Sequence, residues 1–219
     1  VKGFANFGVG FNNFDVDAAT ELGLLIGNTP DAVTDPTANI AMLLLLGAAR
    51  RAYEMQQIVR ESGGQFQPLA PNEILSEDVS GTRLGIVGLG RIGKAMARRA
   101  LGFGMEVVFV QRAPEDREVS DDELGDLAGK VKQVPFQELL ETSDHISLHV
   151  PLSDGTRHLI GQKELAAMKP TAVLVNTARG PVVHEKALVD ALQDVDEGGF
   201  VWLLTPKVGR EGHVSGADI

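Results

Sequence analysis

The hexapeptide Gly88-Leu89-Gly90-Arg91-Ile92-Gly93 follows a short apolar run, Leu84-Gly85-Ile86-Val87, and leads into a stretch with helical spacing. A strand, a glycine-rich turn and a helix in that order leave little choice of local fold. Gly88 permits the tight turn out of the strand, Gly90 lets phosphate groups approach the backbone, and Gly93 lets the helix lie close against the strand. The first N–H groups of a helix have no partner within it, so its N-terminus suits an anion such as the pyrophosphate of a dinucleotide. Glycine-rich turns also arise for packing alone, and the flanking sequence has to decide between the two.

After the turn, strand-like and helix-like segments alternate. Glu106-Val107-Val108-Phe109-Val110 reads as a strand, 116–126 as an acidic loop and 136–141 as a short helix. His145–Val150 reads as a strand, 163–168 as a helix, Ala172-Val173-Leu174-Val175 as a fully apolar strand and 184–192 as a helix. Such alternation predicts an α/β fold, a doubly wound parallel sheet of the Rossmann type with helices on both faces. Upstream, 1–7 reads as extended, Gly8-Val9-Gly10 as a turn, 17–22 as a short helix and 24–26 as a second strand closed by Asn28-Thr29-Pro30.

Thr34-Asp35-Pro36 predicts a helix start, with a side-chain cap followed by proline at the first helical position, and the helix is expected to run to Arg50-Arg51. Its middle, Ala41–Ala49, is apolar on every face, which predicts cover by protein on most sides, between domains or at a subunit interface. The polar stretch 56–80 is expected to be a surface excursion. The division that follows is 1–30 as the remnant of a substrate domain, 31–204 as a dinucleotide-binding domain including a linking helix 36–51, and 205–219 as an irregular tail.

A net charge of −10 disfavours nucleic acid and anionic membranes as partners. The 43% hydrophobic content of 219 residues is enough to bury roughly 70% of the unfolded surface. The absence of cysteine excludes disulfides and thiolate chemistry, and with no signal-peptide pattern at the start it gives the expectation of a cytoplasmic location. The most apolar run, 40–49, is about half the length that spans a bilayer.

Ligands of open parallel sheets bind outside the carboxyl ends of the strands. After the strand ending at Val175 comes Asn176-Thr177-Ala178-Arg179-Gly180. Here a guanidinium fork either meets a substrate carboxylate or simply lies in solvent at the sheet edge. Gln111-Arg112 ends the second strand of the unit, where NAD-binding sites usually carry an acid. Arg112, with Arg117 as a possible second partner, suits the 2′-phosphate of NADP; the alternative is that Gln111 bonds an NAD ribose while Arg112 is solvated. NADP is therefore the expected cofactor, with NAD retained.

With these motifs in order, the chain resembles the D-isomer-specific 2-hydroxyacid dehydrogenases, particularly the glyoxylate and hydroxypyruvate reductase branch. The resemblance runs from about residue 1 to 194. It rests on Gly8–Asp15, Asn28-Thr29-Pro30, Thr34–Asn39, the glycine turn with Gly102-Phe103-Gly104-Met105, His149-Val150-Pro151-Leu152, and Asn176–Gly180. It implies an NAD(P)-dependent reduction of a small 2-keto acid to the D-2-hydroxy acid by a homodimer whose interface contains the apolar helix. By the same resemblance, Val9 and Gly10 offer N–H groups to the substrate carboxylate, and Arg179 binds and polarises the keto acid. Gly88, Gly90, Arg91, Ile92 and Gly93 meet the pyrophosphate, His149, Val150 and Pro151 wall the adenine side, and Thr177 and Ala178 lie along the nicotinamide.

The reaction also needs a proton donor. In the resembled family this is a histidine held by a glutamate, from a segment with no counterpart here. Thr205-Pro206-Lys207-Val208-Gly209 resembles the histidine turn, but with Lys207 in the histidine's place. None of the five histidines is an obvious substitute, and Lys207 is either a donor with a depressed pKa or an exposed tail residue. The chain is therefore expected to be truncated at both ends and of little activity as given. The competing reading is an inactive nucleotide-binding fragment or scaffold.

Overall fold

In the first 30 residues, strands β1 (Gly3–Ala5) and β2 (Leu25–Gly27) pair in parallel, joined by helix α1 (Val16–Glu21). The Asp15 carboxylate caps α1 by accepting from the Ala18 N–H at 2.9 Å, a local bond that competes well with solvent at a helix start. The computed structural model describes residues 1–11, 13–63, 75–111 and 117–192.

Helix α2 (Thr34–Ala49) begins two residues before the expected first position at Pro36, and by another device. Thr34 is inside the helix, Val33 is the cap residue without a side-chain bond, and the Thr34 hydroxyl donates back to the Pro30 carbonyl at 3.4 Å. Pro36 is then the third helical residue, where its missing N–H still costs nothing because the first turn has no internal acceptors. Within the chain this helix is covered on one side. Ala38, Ala41, Met42, Leu45 and Ala49 are buried in one stripe, whereas Ile40 and Leu43 on the other side are exposed. A second departure follows at once, because helix α3 (Ala52–Glu61) occupies part of the expected surface excursion. Its start is fixed by Arg51, at φ 50°, which bonds Glu54 through Nε at 2.7 Å.

The main sheet contains β3 (Arg83–Val87), β4 (Glu106–Val110), β5 (Val131–Gln133), β6 (His145–Leu148) and β7 (Val173–Asn176), in the order β5-β4-β3-β6-β7, every pair parallel. Helix α4 (Arg91–Gly102) connects β3 to β4. The acidic loop contains α5 (Asp121–Leu124), capped by Ser120. Beyond β5 come α6 (Phe136–Thr142), α7 (Gln162–Ala167) and α8 (Glu185–Leu192). Alternation along the strands loads both faces. Leu84, Ile86, Val107, Phe109 and Val175 pack with α2 and α4 on one face, while Val87, Val108, Val110, Ile146 and Leu148 pack with Leu139 and Leu140 of α6 on the other. Each such side chain contributes about 1.5–3 kcal/mol by leaving water.

Candidate functional site

Counting outward from β3, the chain runs one way through β4 and β5 and then returns on the other side through β6 and β7. This places a crevice between the carboxyl ends of β3 and β6, the position at which doubly wound sheets take their ligands. The glycine turn, the His149–Pro151 segment and the Thr177–Arg179 segment all leave strands at that edge.

The three turn glycines have different reasons to be glycine. Gly88 has φ 95°, and a Cβ there would meet the His149 carbonyl and the Val150 side chain at 2.9 Å. At Gly93 a Cβ would lie 2.2 Å from the Gly88 carbonyl oxygen. Both are required by the protein's own packing. A Cβ on Gly90 would meet nothing within 4 Å, so the protein fills no space there. Gly90 is also the cap residue of α4 and has no side chain to satisfy the first N–H groups, those of Arg91 and Ile92. Open space in front of helix N–H groups that no side-chain cap reaches is a seat for a phosphate group.

Gln111 has a role in the fold at the second strand's end. Its Oε1 accepts from the Leu89 N–H at 3.0 Å and so ties the end of β4 to the glycine turn. Arg112 lies outside the described residues, as do Lys207 and the rest of the tail. Arg91, exposed, reaches Asp31 at 3.4 Å, a solvated pair of small energetic weight.

On the other side of the crevice, the His149 N–H donates to the Val87 carbonyl at 2.8 Å, and its Nε2 is 2.9 Å from the Ser147 hydroxyl. Burial pushes the imidazole down to about 4, leaving it neutral at pH 7. Val150 is buried, and Pro151 opens a turn closed by Thr156, whose hydroxyl donates to the Pro151 carbonyl at 2.5 Å. Beyond β7 the Thr177 hydroxyl oxygen is buried with no hydrogen-bond partner among the described residues. A buried orphan of that kind calls for an acceptor or donor supplied from outside.

Asn176 organises the same loop. Its Oδ1 accepts from the Ala178 N–H at 3.0 Å and its Nδ2 donates to the Arg179 carbonyl at 2.9 Å, which leaves the Arg179 side chain exposed at the mouth of the crevice. In the N-terminal unit, Asn6 Nδ2 donates to the Gly10 carbonyl at 2.8 Å and Asn28 Nδ2 to the Val9 carbonyl at 2.9 Å. These three asparagines fix loops through two-point amide bonds or long-range ones, and the sequence signal for them is an amide placed beside a strand end. Gly93, His149 and Val150 lie close against Gly88, and Gln111 bonds the same turn through the Leu89 N–H. The bonds of Val9 and Gly10 stay within residues 6–28.

Past the ends of β4 and β5 lies a cleft of about 490 Å³, walled by Val110, Gln111, Gln133, Pro135, Arg117 and Glu118 among others. No group of three or more metal-ligating side chains occurs among the described residues, and no helix among them is long and apolar enough to cross a membrane.

Residues 42–201 match the family described as D-isomer specific 2-hydroxyacid dehydrogenase, NAD binding domain. A glyoxylate reductase of Korarchaeum cryptofilum is 48% identical over 190 residues, which are 87% of this chain and 55% of that protein. The crystal structure of a glyoxylate reductase from Paecilomyes thermophila superposes with a TM-score of 0.76 at 44% identity, covering 89% of this chain and 55% of that one. The D-lactate dehydrogenase of Aquifex aeolicus, crystallised with NAD and lactic acid, gives 0.76 at 32% identity, covering 89% of this chain and 55% of that one. The chain thus spans about half the length of the curated relatives it matches. Strand order, glycine turn and sequence match agree, and the chain belongs to the D-isomer specific 2-hydroxyacid dehydrogenase family.

Proposed function

We propose that the chain is the dinucleotide-binding part, with an adjoining piece of the substrate-binding part, of an NAD(P)-dependent enzyme that reduces a small 2-keto acid of the glyoxylate or hydroxypyruvate type to the D-2-hydroxy acid. The observation that carries this reading is the unfilled space at Gly90, set against the filled surroundings of Gly88 and Gly93. The division at residues 30 and 204, with 1–30 as substrate-side remnant, is part of the same proposal.

In this reading the N–H groups of Arg91 and Ile92 receive the pyrophosphate, His149, Val150 and Pro151 wall the adenine side, and the Thr177 hydroxyl and the Ala178 backbone face the carboxamide end. A bound reduced nicotinamide supplies the hydride. Arg179 holds the substrate carboxylate and polarises its keto oxygen, and Val9 and Gly10 add N–H donors. His149 is a poor proton donor, because an imidazole held near 4 is neutral at pH 7 and its Nε2 is engaged by Ser147. His184 is spent on capping α8, where its Nδ1 accepts from the Ala187 N–H at 3.1 Å. These two observations favour a second reading, in which this chain binds nucleotide and turns over little substrate.

One experiment separates the readings. The full chain is mixed with one equivalent of NADPH and excess glyoxylate, and loss of nicotinamide absorbance is followed beside a fluorescence titration of nucleotide. Nucleotide binding that is lost in Gly90→Val, with hydride transfer lost in Arg179→Ala, supports the enzyme. Binding without transfer supports the inactive fragment, and no binding in the folded wild-type chain overturns both. We further propose NADP over NAD, and a homodimer formed through the exposed Ile40 and Leu43 of α2.

A further inference from the structure

The cleft beyond β4 and β5 contains an internal contest for charge. Arg117 is on its wall, and its guanidinium Nη1 is 2.8 Å from Glu123 Oε2, with both side chains about half exposed at 47%. Glu118, also exposed, lines the same cleft.

The backbone around Arg117 is pinned rather than loose. Gln133 Nε2 donates to the Arg117 carbonyl at 2.6 Å, and Gln133 Oε1 accepts from the Val119 N–H at 2.8 Å. One amide from β5 thus holds the segment from both sides, so the position of Arg117 at the cleft is set by the sheet. Glu123 is fixed from its own side, because its carbonyl accepts from Lys94 Nζ of α4 and its N–H lies 3.4 Å from the Ser120 cap hydroxyl. The pair therefore joins two anchored backbones through a solvated ion contact, and such contacts are weak, in the range of about 0.2–1 kcal/mol.

In a doubly wound sheet the space past the second strand receives the adenosine ribose, and here that strand is β4. We propose that Glu123 tempers the NADP preference of this site by competing with a ribose 2′-phosphate for Arg117. With Arg117 turned to Glu123, the cleft presents Glu118 and a neutralised pair, which suits a ribose bearing only hydroxyls. With Arg117 turned to the ligand, the same cleft offers a fork of donors to a phosphate dianion. The ion pair thereby acts as a brake on 2′-phosphate binding, and Arg117 is a specificity residue while Glu123 acts through it. The inference rests on the dinucleotide reading above.

Calorimetric titration of the full chain with 2′,5′-ADP and with 5′-AMP tests it, because the two probes differ only in the 2′-phosphate. Glu123→Gln is expected to tighten 2′,5′-ADP by about twofold to fivefold and leave 5′-AMP unchanged. Arg117→Ala is expected to weaken 2′,5′-ADP by about tenfold or more, again without effect on 5′-AMP. In the double variant the gain from Glu123→Gln should vanish, since its route runs through Arg117. A Glu123→Gln chain that binds 2′,5′-ADP no better than wild type, or that gains equally for both probes, overturns the proposal. If wild type binds 5′-AMP but neither substitution alters the 2′,5′-ADP preference, only this inference falls. If it binds neither probe nor NADPH, the dinucleotide reading falls with it.

Discussion

The two parallel sheets of this chain are made from similar residues and end in opposite situations. In the five-stranded sheet β6 is buried along its whole length, and β3 and β4 at all but their first residue. In the two-stranded sheet all of β1 is exposed, as are both ends of β2, and Phe4, Phe7, Phe11, Leu22 and Leu25 face solvent. The difference lies in what covers them. Helices α2, α4 and α6 close both faces of the large sheet, whereas β2 packs on the six-residue α1 and β1 chiefly on β2. Local pairing sets the register in both, but only a second layer converts apolar side chains into stability.

The largest expected effect tests that contrast directly. Phe109→Ala, at a fully buried position in β4, should cost about 3–5 kcal/mol. Phe7→Ala, at a fully exposed position, should change stability by no more than about 0.5 kcal/mol. Urea midpoints of the two variants measure both, and equal losses would show that the N-terminal unit has a core of its own.

The next effect concerns acid. His149 is held at about 4 in the folded chain, and burial also lowers His145, against an opposing pull from Asp144. A depressed folded-state value means that the unfolded chain binds the proton first. The stability of the large sheet is therefore complete above the ordinary histidine value near 6.5 and is lost as pH falls from there toward 4, by up to about 3 kcal/mol for His149. His149→Gln should flatten that slope. Residues 1–30 contain no histidine, so amide exchange of β1 and β2, corrected for intrinsic rates, should show no step in this window.

The smallest effect on folding separates two kinds of exposed leucine. Leu43→Glu on α2 and Leu25→Glu on β2 are each expected to shift stability by about 0.5 kcal/mol or less. In sedimentation velocity, Leu43→Glu should yield monomer and Leu25→Glu should leave any dimer intact. Dimer lost only in Leu25→Glu would move the interface to the small sheet.

The large sheet was legible because its signals are local. An apolar run, a glycine turn and a helix specify β3 and α4 within 20 residues, and short runs rich in valine, isoleucine, leucine and phenylalanine mark β4, β6 and β7. Strand β5 is three residues, Val131-Lys132-Gln133, at the sheet edge, too short and polar to carry a period of two. Helix α3 was hidden by its own polarity, since Gln56 and Gln57 read as loop when the following glycines and prolines are averaged with them. At the site, the residue types near the crevice were readable but their partners were not. Gln111 bonds a turn 22 residues earlier, Thr34 bonds backward to Pro30, and which acceptor a polar side chain finds depends on tertiary approach.

Two of the turn glycines are locked by protein atoms and the third is bordered by vacant space, so they answer to different kinds of selection. A descendant of this chain that ceased to bind nucleotides would still need Gly88 and Gly93 in order to fold. Only Gly90 would be released, and it would drift first. The residue at that one position is accordingly a record of ligand use, separable from the record of ancestry kept by its neighbours.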